Sequence, residues 1–179
     1  MEHRLRTPLS TEDILSLKAG ETVYLSGTIY TARDKAHAKL RSCGCLPVDL
    51  SGATIYHCGP LIVDDIVISA GPTTSGRMAR YSEEVVSHGV KAIIGKGGVP
   101  GDGLQGRCVY LAYPGGCGAA AAGQLKVKRV HLPELGMAEA MWELEATDLG
   151  PMIVAIDCHG GDLYRDVKRS VQERLKPVR

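Results

Sequence analysis

The sequence predicts an α/β domain with a mixed, partly parallel sheet. Short runs of β-branched residues alternate along the chain with helix-like segments, and several of these runs end in glycine. Such alternation favours parallel pairs, because a strand that returns to its sheet through a helix runs parallel to the strand before it. Hydrophobic residues make up 44% of the 179 residues, enough to bury a core, and no long linker divides the chain. We therefore expect residues 1–179 to form a single domain.

The first half of the chain opens with a capped helix and an alternating strand. Ser10 followed by Thr11-Glu12-Asp13 is the pattern of a helix N-cap, and Gly20 is suited to end that segment. In residues 22–30 apolar and polar side chains alternate with the period of a half-buried strand. The other elements predicted in this half are a helix at 32–41, strands at 54–58 and 66–70, a helix at 76–88 and a strand at 91–95.

The second half continues the alternation and ends in an amphipathic helix. Residues 116–124 are rich in glycine and alanine and predict a helix of small residues. Apolar residues recur at every fourth position through 162–176, which predicts a helix with one apolar face. The strands predicted in this half lie at 107–113, 127–131, 142–147 and 152–157.

Charge and composition exclude several classes of partner. Lys and Arg number 21 and Asp and Glu 20, so the net charge is +1 and no polyanion is implied. Aromatic residues make up only 4%, which disfavours a platform for stacking nucleic-acid bases. The longest apolar stretch, residues 61–70, contains two aspartates and is too short to span a membrane. Because residues 1–6 are polar and no apolar signal follows, we expect a cytoplasmic protein with reduced thiols and no nucleic-acid or membrane partner.

Two further patterns resemble cofactor motifs without fulfilling them. Cys43-Gly44-Cys45 lacks the C-x-x-C spacing of common metal and redox sites, so we interpret these cysteines as free thiols. Residues 116–121 match the loose dinucleotide pattern G-x-G-x-x-A, but no acidic partner is well placed and close helix packing explains the small residues as well. We therefore assign this chain no metal ligands and no bound cofactor.

The first of three candidate binding loops follows the strand at 22–30. Arg33, Lys35 and His37 lie in the first turns of the predicted helix. Cationic side chains beside free helix amides favour a carboxylate or a phosphate. The alternative interpretation is a solvated, charged helix face.

The other two loops also follow predicted strands. In residues 71–78, Thr73 and Thr74 precede Arg77, whose planar guanidinium suits an acidic ligand. Helix capping by one of the threonines is the simpler alternative. Lys96 stands among glycines at 95–98, where the bare backbone would let its ammonium group approach a ligand. This segment lacks the Walker A spacing, and a mobile surface turn is its alternative.

Several segments together resemble a known family. Residues 27–37 read G-T-I-Y-x-A-R-D-x-A-H, residues 71–78 read G-P-T-T-S-G-R-M, and residues 94–98 read I-G-K-G-G. Y-x-x-G-P at 56–60 and M-A-E-A-M-W-E-L-E at 137–145 complete the set. These motifs, in this order and over most of the chain, resemble the β subunit of class I fumarate hydratases. The related L(+)-tartrate dehydratase β subunit carries similar motifs.

The resemblance implies half of an enzyme. In this family an oxygen-sensitive 4Fe–4S cluster belongs to a larger α subunit, and the β subunit, a swivelling β/β/α-type domain, supplies substrate-binding residues to a shared site. The resemblance implies reversible hydration of fumarate to (S)-malate, a C4 dicarboxylate substrate, and a hetero-oligomer with two of each subunit. This chain would then bind no cluster itself and would be active only with its partner.

The resemblance also implies roles for individual residues. Thr73 matches the family's catalytic base, and an aspartate of the α subunit would activate it, since a threonine hydroxyl is too weak to act unaided. The residues implied to bind substrate are Arg33, Thr74, Arg77, Lys96 and His37, the last of these by orienting Arg33. Their positive charges suit a dianion and the additional charge that forms when a proton is removed.

Other functions remain as alternatives to fumarate hydration. Dehydration of tartrate to oxaloacetate is the second candidate, and hydration of a methylated fumarate is the third. A non-catalytic binding module derived from the family would not need to keep Thr73, Arg77, Arg33 and Lys96. A nucleotide-binding protein would depend on residues 116–121 alone.

Overall fold

The computed structural model describes residues 1–42 and 46–175. The strands are β1 (Glu2–Arg6), β2 (Thr22–Thr31), β3 (Thr54–Tyr56), β4 (Leu61–Val63), β5 (Ile66–Ser69), β6 (Ala92–Gly95), β7 (Val109–Ala112), β8 (Leu125–His131) and β9 (Met141–Ile156). The α-helices are α1 (Thr11–Ser16), α2 (Asp34–Ser42), α3 (Ser82–Ser87), α4 (Gly118–Ala122) and α5 (Leu163–Arg174). Two 3₁₀ helices lie at Ser75–Tyr81 and Pro133–Leu135.

Seven strands form one mixed sheet in the order β1-β2-β3-β6-β7-β9-β8. The first five of these strands are parallel neighbours, whereas β9 runs antiparallel to β7 and β8. Strand β9 also pairs antiparallel with β2, so the sheet curls round and partly closes into a barrel. The predicted α/β class with a mixed, partly parallel sheet is confirmed.

The two strands predicted at 142–147 and 152–157 are one continuous strand, β9. Asp148 and Gly150-Pro151 between them resemble a strand break in the sequence. In the structure Asp148 has φ of 47°, and the register against β2 shifts on either side of Leu25. An irregularity of this kind bends a strand without ending it. The bend lets β9 pair with β8 from Met141 to Ala146, with β2 from Glu143 to Ile153, and with β7 from Ile153 to Ile156.

Two strands were not predicted, and both have an exposed side. Strand β1 is a polar edge strand in which charged side chains alternate with His3 and Leu5. Strand β4 forms a hairpin with β5 through Asp64-Asp65, and both of these residues have positive φ, as tight hairpin turns require. The outward side chains of this hairpin are apolar and exposed; they are Leu61, Val63, Ile66 and Ile68.

The helices follow the prediction with two differences. Ser10 caps α1 as expected, since its Oγ accepts from the Asp13 N–H at 3.0 Å and its own N–H donates to the Asp13 carboxylate at 2.7 Å. The helix predicted at 76–88 is divided into the 3₁₀ helix and α3. The apolar positions of α5 stay exposed, Val167 and Val171 among them. No helix within the described part of the chain is long and apolar enough to cross a bilayer.

The core lies on both faces of the sheet. Ile93 and Ile94 are neighbours on β6, yet they pack into two different buried clusters. Tyr110 and Leu111 on β7 divide in the same way. Parallel strands buried on both faces leave their ends as the accessible places for chemistry. The loops after β2, β3 and β6 are therefore the parts of the fold that position the site.

Candidate active site

The carboxyl ends of β2, β3 and β6 lie side by side. Thr31 pairs with Tyr56, and Tyr56 pairs with Ile94, so the residues that follow these strands emerge at one edge of the sheet. Arg33 follows β2 and Lys96 follows β6 at this edge. Two of the three loops predicted from sequence are thereby brought together by strand register alone.

The third loop fits between the strand extensions. The Thr73 N–H donates to the His57 carbonyl at 2.7 Å, and the Lys96 N–H donates to the Thr73 carbonyl at 3.2 Å. The Ser75 N–H in turn donates to the Lys96 carbonyl at 2.9 Å. Thr73 and Thr74 are thus held as a short strand beside Lys96. Thr74 precedes the 3₁₀ helix, but its side chain makes no capping hydrogen bond, so capping does not account for this hydroxyl.

Arg77 is tied to the helix that follows Arg33. Its Nη2 donates to Asp34 Oδ2 at 3.1 Å, which links the 3₁₀ helix to the first turn of α2. Partial burial acts to raise the pKa of Asp34, but the hydrogen bond and charge of Arg77 hold it below its ordinary value. A guanidinium has five N–H donors, so Arg77 keeps donors for a ligand.

Arg33 is held by a close backbone approach and by a carboxylate. A Cβ on Gly59 would lie 2.6 Å from Arg33 Nη1, so only glycine leaves room for this guanidinium. Arg33 Nε lies 3.4 Å from Glu139 Oε1, and Glu139 Oε2 accepts from the Lys35 N–H at 2.9 Å. Glu139 was not predicted as a site residue. It lies in the M-A-E-A-M-W segment, which is one of the motifs that resemble the family, and that position is the one sequence feature that could have pointed to it.

His37 points into the protein. Its ring is 2% exposed, stacks on Tyr81 with centroids 5.6 Å apart, and meets the ring of His57 edge-on at 5.1 Å. Burial lowers the pKa of His37 to about 4, so the ring is neutral at pH 7. Its link to Arg33 is through the backbone, since the His37 N–H donates to the Arg33 carbonyl at 2.9 Å. The substrate-binding role of His37 stays a prediction.

Lys96 stands at the rim of an apolar cleft of about 530 Å³. The other side chains lining this cleft include Tyr113, Pro114, Pro151, Ile153 and Tyr164. Within residues 1–42 and 46–175, no carboxylate pairs with Lys96, whose ammonium group is exposed. An unneutralised cation at this position is suited to a carboxylate ligand.

A buried hydrogen-bond chain lies beneath these loops. His57 Nδ1 is 2.8 Å from Ser75 Oγ, and the Tyr110 hydroxyl is 3.0 Å from the same oxygen. The Tyr110 hydroxyl is also 2.7 Å from the Gly97 carbonyl. Ser75 is one of three hydroxyl residues that follow Gly71-Pro72 in the sequence, but only the fold brings it together with His57 and Tyr110.

The described cysteines are free thiols without a metal cluster. Cys58 and Cys108 are buried, and burial raises the pKa of each to about 12. Across the described residues, no group of three or more His, Cys, Asp or Glu side chains could hold a metal ion. Cys43 and Cys45, interpreted above as free thiols, lie outside the described residues.

The small residues at 116–121 are used for packing. Gly118 begins α4 close to β5, and a Cβ there would overlap Ser69 Oγ. The Ala70 N–H donates to the Gly118 carbonyl at 3.0 Å. This close approach explains the glycine without a nucleotide.

The family described as the fumarase C-terminus matches residues 2–167, which is most of the chain. The chain belongs to the fumarase C-terminus family. The resemblance inferred from the motifs is thereby confirmed.

Relatives within the fumarase C-terminus family have two kinds of name. "Putative L(+)-tartrate dehydratase subunit beta" of Methanocaldococcus jannaschii is 47% identical over 185 aligned positions, covering 95% of each chain. "L(+)-tartrate dehydratase subunit beta" of Escherichia coli K12 is 36% identical over 189 positions, covering 99% of this chain and 94% of the relative. "Putative fumarate hydratase class I" of Geobacillus stearothermophilus is 39% identical over 182 positions, covering 96% of this chain but 35% of the relative.

These names place the chain in a family of hydratases and dehydratases. In the Geobacillus relative the matching region is about a third of a longer chain, whereas in the other two it is nearly the whole subunit. The family therefore uses this fold both as a separate subunit and as part of a larger protein.

Proposed function

We propose that this chain is the β subunit of a class I fumarate hydratase that interconverts fumarate and (S)-malate in a site shared with a larger α subunit. The observation that carries the proposal is the position of Thr73 and Thr74, hydrogen-bonded into the sheet edge beside Lys96. A hydroxyl-bearing segment thus lies beside an ammonium group that has no carboxylate partner among residues 1–42 and 46–175, and both are available to one ligand. Family membership supports the reaction class.

The cations at this edge suit the two carboxylates of a C4 substrate. Arg33 and Arg77 are each oriented by an acidic neighbour, Glu139 and Asp34 respectively. The remaining guanidinium N–H groups can bind carboxylate oxygens in the paired geometry that arginine favours. Lys96 adds a compact positive charge, and Thr74 adds a hydroxyl donor. These groups would also stabilise the charge that develops when a proton leaves the carbon next to a carboxylate.

Thr73 is the proposed base. In the dehydration direction its oxygen takes the C3 proton of malate as the C2 hydroxide departs and the double bond forms; in hydration the same proton returns to C3. Because an unaided hydroxyl has too high a pKa, we propose that an aspartate of the α subunit takes the proton from Thr73. The backbone hydrogen bonds of Thr73 hold its main chain in place at the sheet edge.

The 4Fe–4S cluster is proposed to belong to the α subunit, where it would act as a Lewis acid on the hydroxide. The residues described for this chain do not offer it a ligand set, so its chemistry is not assigned to them. A partner is supported by the "subunit beta" names of the relatives. The exposed apolar side chains of the β4–β5 hairpin lie between the site segments at 57–60 and 71–75 and are suited to contact that partner. We propose two copies of each subunit.

Tartrate dehydration is the second candidate function. Two relatives named for tartrate dehydratase match this chain over nearly their whole length, and one of them is 47% identical. Fumarate and tartrate are both C4 dicarboxylates, and the cations at the sheet edge would bind either. The two substrates differ in their hydroxyl groups, and the charged residues named here bind carboxylates. These residues therefore do not decide between the two substrates.

The decisive experiment is anaerobic reconstitution of this chain with a cluster-bearing α subunit. We expect turnover of fumarate and malate by the complex and none by either subunit alone. Lys96→Ala should lower kcat/KM by about 10²-fold, as the loss of a preorganised donor does, whereas the exposed Lys126→Ala should not change it. If the complex turns over L(+)-tartrate but neither fumarate nor malate, tartrate is the substrate. A complex inactive with all three compounds would support a non-catalytic binding module.

A further inference from the structure

The hydrogen-bond chain from His57 to Gly97 has a fixed proton order. The Gly97 carbonyl can only accept, so the single proton of the Tyr110 hydroxyl is donated to it. The Tyr110 oxygen is then free to accept the Ser75 hydroxyl proton. The Ser75 oxygen accepts in turn from His57 Nδ1, which must therefore carry a proton. This is the one arrangement in which all three contacts are hydrogen bonds and each N–H or O–H group has its own acceptor.

This order places a proton on His57 Nδ1, and the surroundings of the ring decide its charge. The ring is 1% exposed and meets the ring of His37 instead of a carboxylate. Burial lowers the pKa of His57 well below its ordinary value. His57 is thus neutral, with its proton on Nδ1 and a lone pair on Nε2.

The chain connects the segments that carry the proposed site. His57 follows β3 and its carbonyl accepts from Thr73, while Ser75 follows Thr74 directly. Gly97 is the next residue after Lys96. Tyr110 on β7 is fully buried and gives the chain a rigid base. Backbone hydrogen bonds already join the threonine segment to Lys96, and the Ser75 hydroxyl adds a side-chain link from this segment through Tyr110 to the Gly97 carbonyl.

The sheet leaves space for this serine. Ser75 is fully buried, and a Cβ on Gly95 would overlap its Oγ. Glycine at the end of β6 is thus required for the serine hydroxyl to reach both His57 and Tyr110. A tight turn alone does not require this fit between a glycine and a buried serine. The fit places a hydroxyl directly beneath two of the proposed binding loops.

We propose that Ser75 is a positioning residue of the site, whose hydroxyl works together with the backbone hydrogen bonds to hold the Thr73–Thr74 segment and the Lys96 turn in the arrangement that binds a substrate carboxylate. This inference rests on the proposed function. It makes Ser75 and Tyr110 act through Thr74 and Lys96 and not on the substrate itself. Removing either hydroxyl is therefore expected to raise KM more than it lowers kcat.

The kinetic test uses Ser75→Ala and Tyr110→Phe in the complex reconstituted with the α subunit. We expect each to raise KM for malate about tenfold or more with a smaller change in kcat, since small displacements of binding groups have effects of this size. The double variant should be little worse than either single one, because both break the same chain. Thr7→Val is the matched control. The buried Thr7 hydroxyl donates to the Thr28 carbonyl at 2.6 Å, on strand β2, which is not part of the hydrogen-bond chain from His57 to Gly97. This variant should lose comparable stability and keep the parental KM.

A spectroscopic test needs only this chain. In ¹⁵N-detected spectra of the histidine rings, His57 should show the Nδ1–H tautomer in the parental protein and lose that preference in Ser75→Ala. If Ser75→Ala does not fold, Tyr110→Phe decides the kinetic question. An active parental complex whose variants keep their KM, or a His57 protonated on Nε2, would overturn this proposal alone. An inactive parental complex would overturn the proposed function, and this inference with it.

Discussion

Arg77 Nη2 and Asp34 Oδ2 lie 3.1 Å apart and connect two loops that are 43 residues apart in the sequence. Arg77 follows the threonine segment, and Asp34 follows Arg33, so this ion pair sets two proposed carboxylate-binding arginines on the same side of the sheet edge. Backbone hydrogen bonds at the sheet edge bring the Arg77 loop close to the loop after β2, and this ion pair links the two loops through their side chains.

Replacing Asp34 by Asn should disturb binding more than folding. Without its carboxylate partner Arg77 can adopt other rotamers, so we expect KM for the dicarboxylate to rise several-fold. The pair is partly exposed, so its loss should lower the free energy of unfolding by no more than about 1 kcal/mol. Asp166→Asn, which breaks the exposed pair with Arg169 on α5, is the control and should leave KM unchanged. Equal KM values for both variants would show that Asp34 does not orient Arg77.

Gly59→Ala tests the close approach of Arg33. The added methyl would lie 2.6 Å from both Arg33 Nη1 and the Ala138 carbonyl, so the guanidinium must move. We expect kcat/KM to fall by about 10-fold or more, since misplacing a binding group by a fraction of an ångström has effects of this order. Gly103→Ala is matched, because a Cβ there meets no atom within 4 Å. Parental kinetics in Gly59→Ala would mean that Arg33 is not required where the structure places it.

Thr73→Val separates chemistry from helix capping. The residue at the N-cap of the 3₁₀ helix is Thr74, and no side-chain capping bond forms there, so removing the Thr73 hydroxyl should leave the melting temperature nearly unchanged. Loss of the base should lower kcat by about 10²- to 10⁴-fold while malate still binds. Thr147→Val, at an exposed position of β9, is the control for the substitution itself. A lower melting temperature with parental turnover would give Thr73 a structural role only.

Acid should destabilise the fold through His37. Its pKa is about 4 in the folded protein and about 6.5 when unfolded, so the unfolded chain binds the proton first as the pH falls. Its contribution to stability is complete above pH 6.5, declines between pH 6.5 and 4, and is constant below that range. The expected loss is about 3 kcal/mol, at about 1.4 kcal/mol per pKa unit.

Urea unfolding of the parental chain and of His37→Leu, measured from pH 7 to pH 4.5, checks this expectation. The variant should show a shallower decline, and the part that remains should come largely from His57, which is also buried and neutral. Identical slopes for the two proteins would mean that His37 accepts its proton without unfolding.

The local sequence pattern was sufficient to predict elements whose hydrophobic periodicity matches their burial or whose capping contacts are local. The alternation in 22–30 marks β2 because that strand has one face in the core, and Ser10 marks α1 because its capping contacts are local. Strand β1 escaped prediction because an edge strand can be charged on nearly every side. Asp148 and Gly150-Pro151 suggested a turn because the partners that keep β9 extended are more than 100 residues away in β2.

The same distinction applies to the site. Arg33, Thr73, Thr74, Arg77 and Lys96 stand in loops after strands, where sequence alone can point to them. His57, Ser75 and Tyr110 are joined by contacts that span 18 and 35 residues, and only the assembled sheet brings them together. Glu139 reaches Arg33 across more than 100 residues. No spacing rule anticipates such pairs.

The long strand β9 has a consequence for how the protein is made. It pairs with β2, β7 and β8, and it follows all the other strands of the described residues. While the ribosome is still translating residues before 141, β2 and β7 each lack a neighbour, and exposed strand edges of this kind recruit other chains. The sheet can close only after residues 141–156 have left the exit tunnel. A nascent chain stalled before that point would therefore be expected to aggregate or to need a chaperone, however well its first hundred residues had begun to fold.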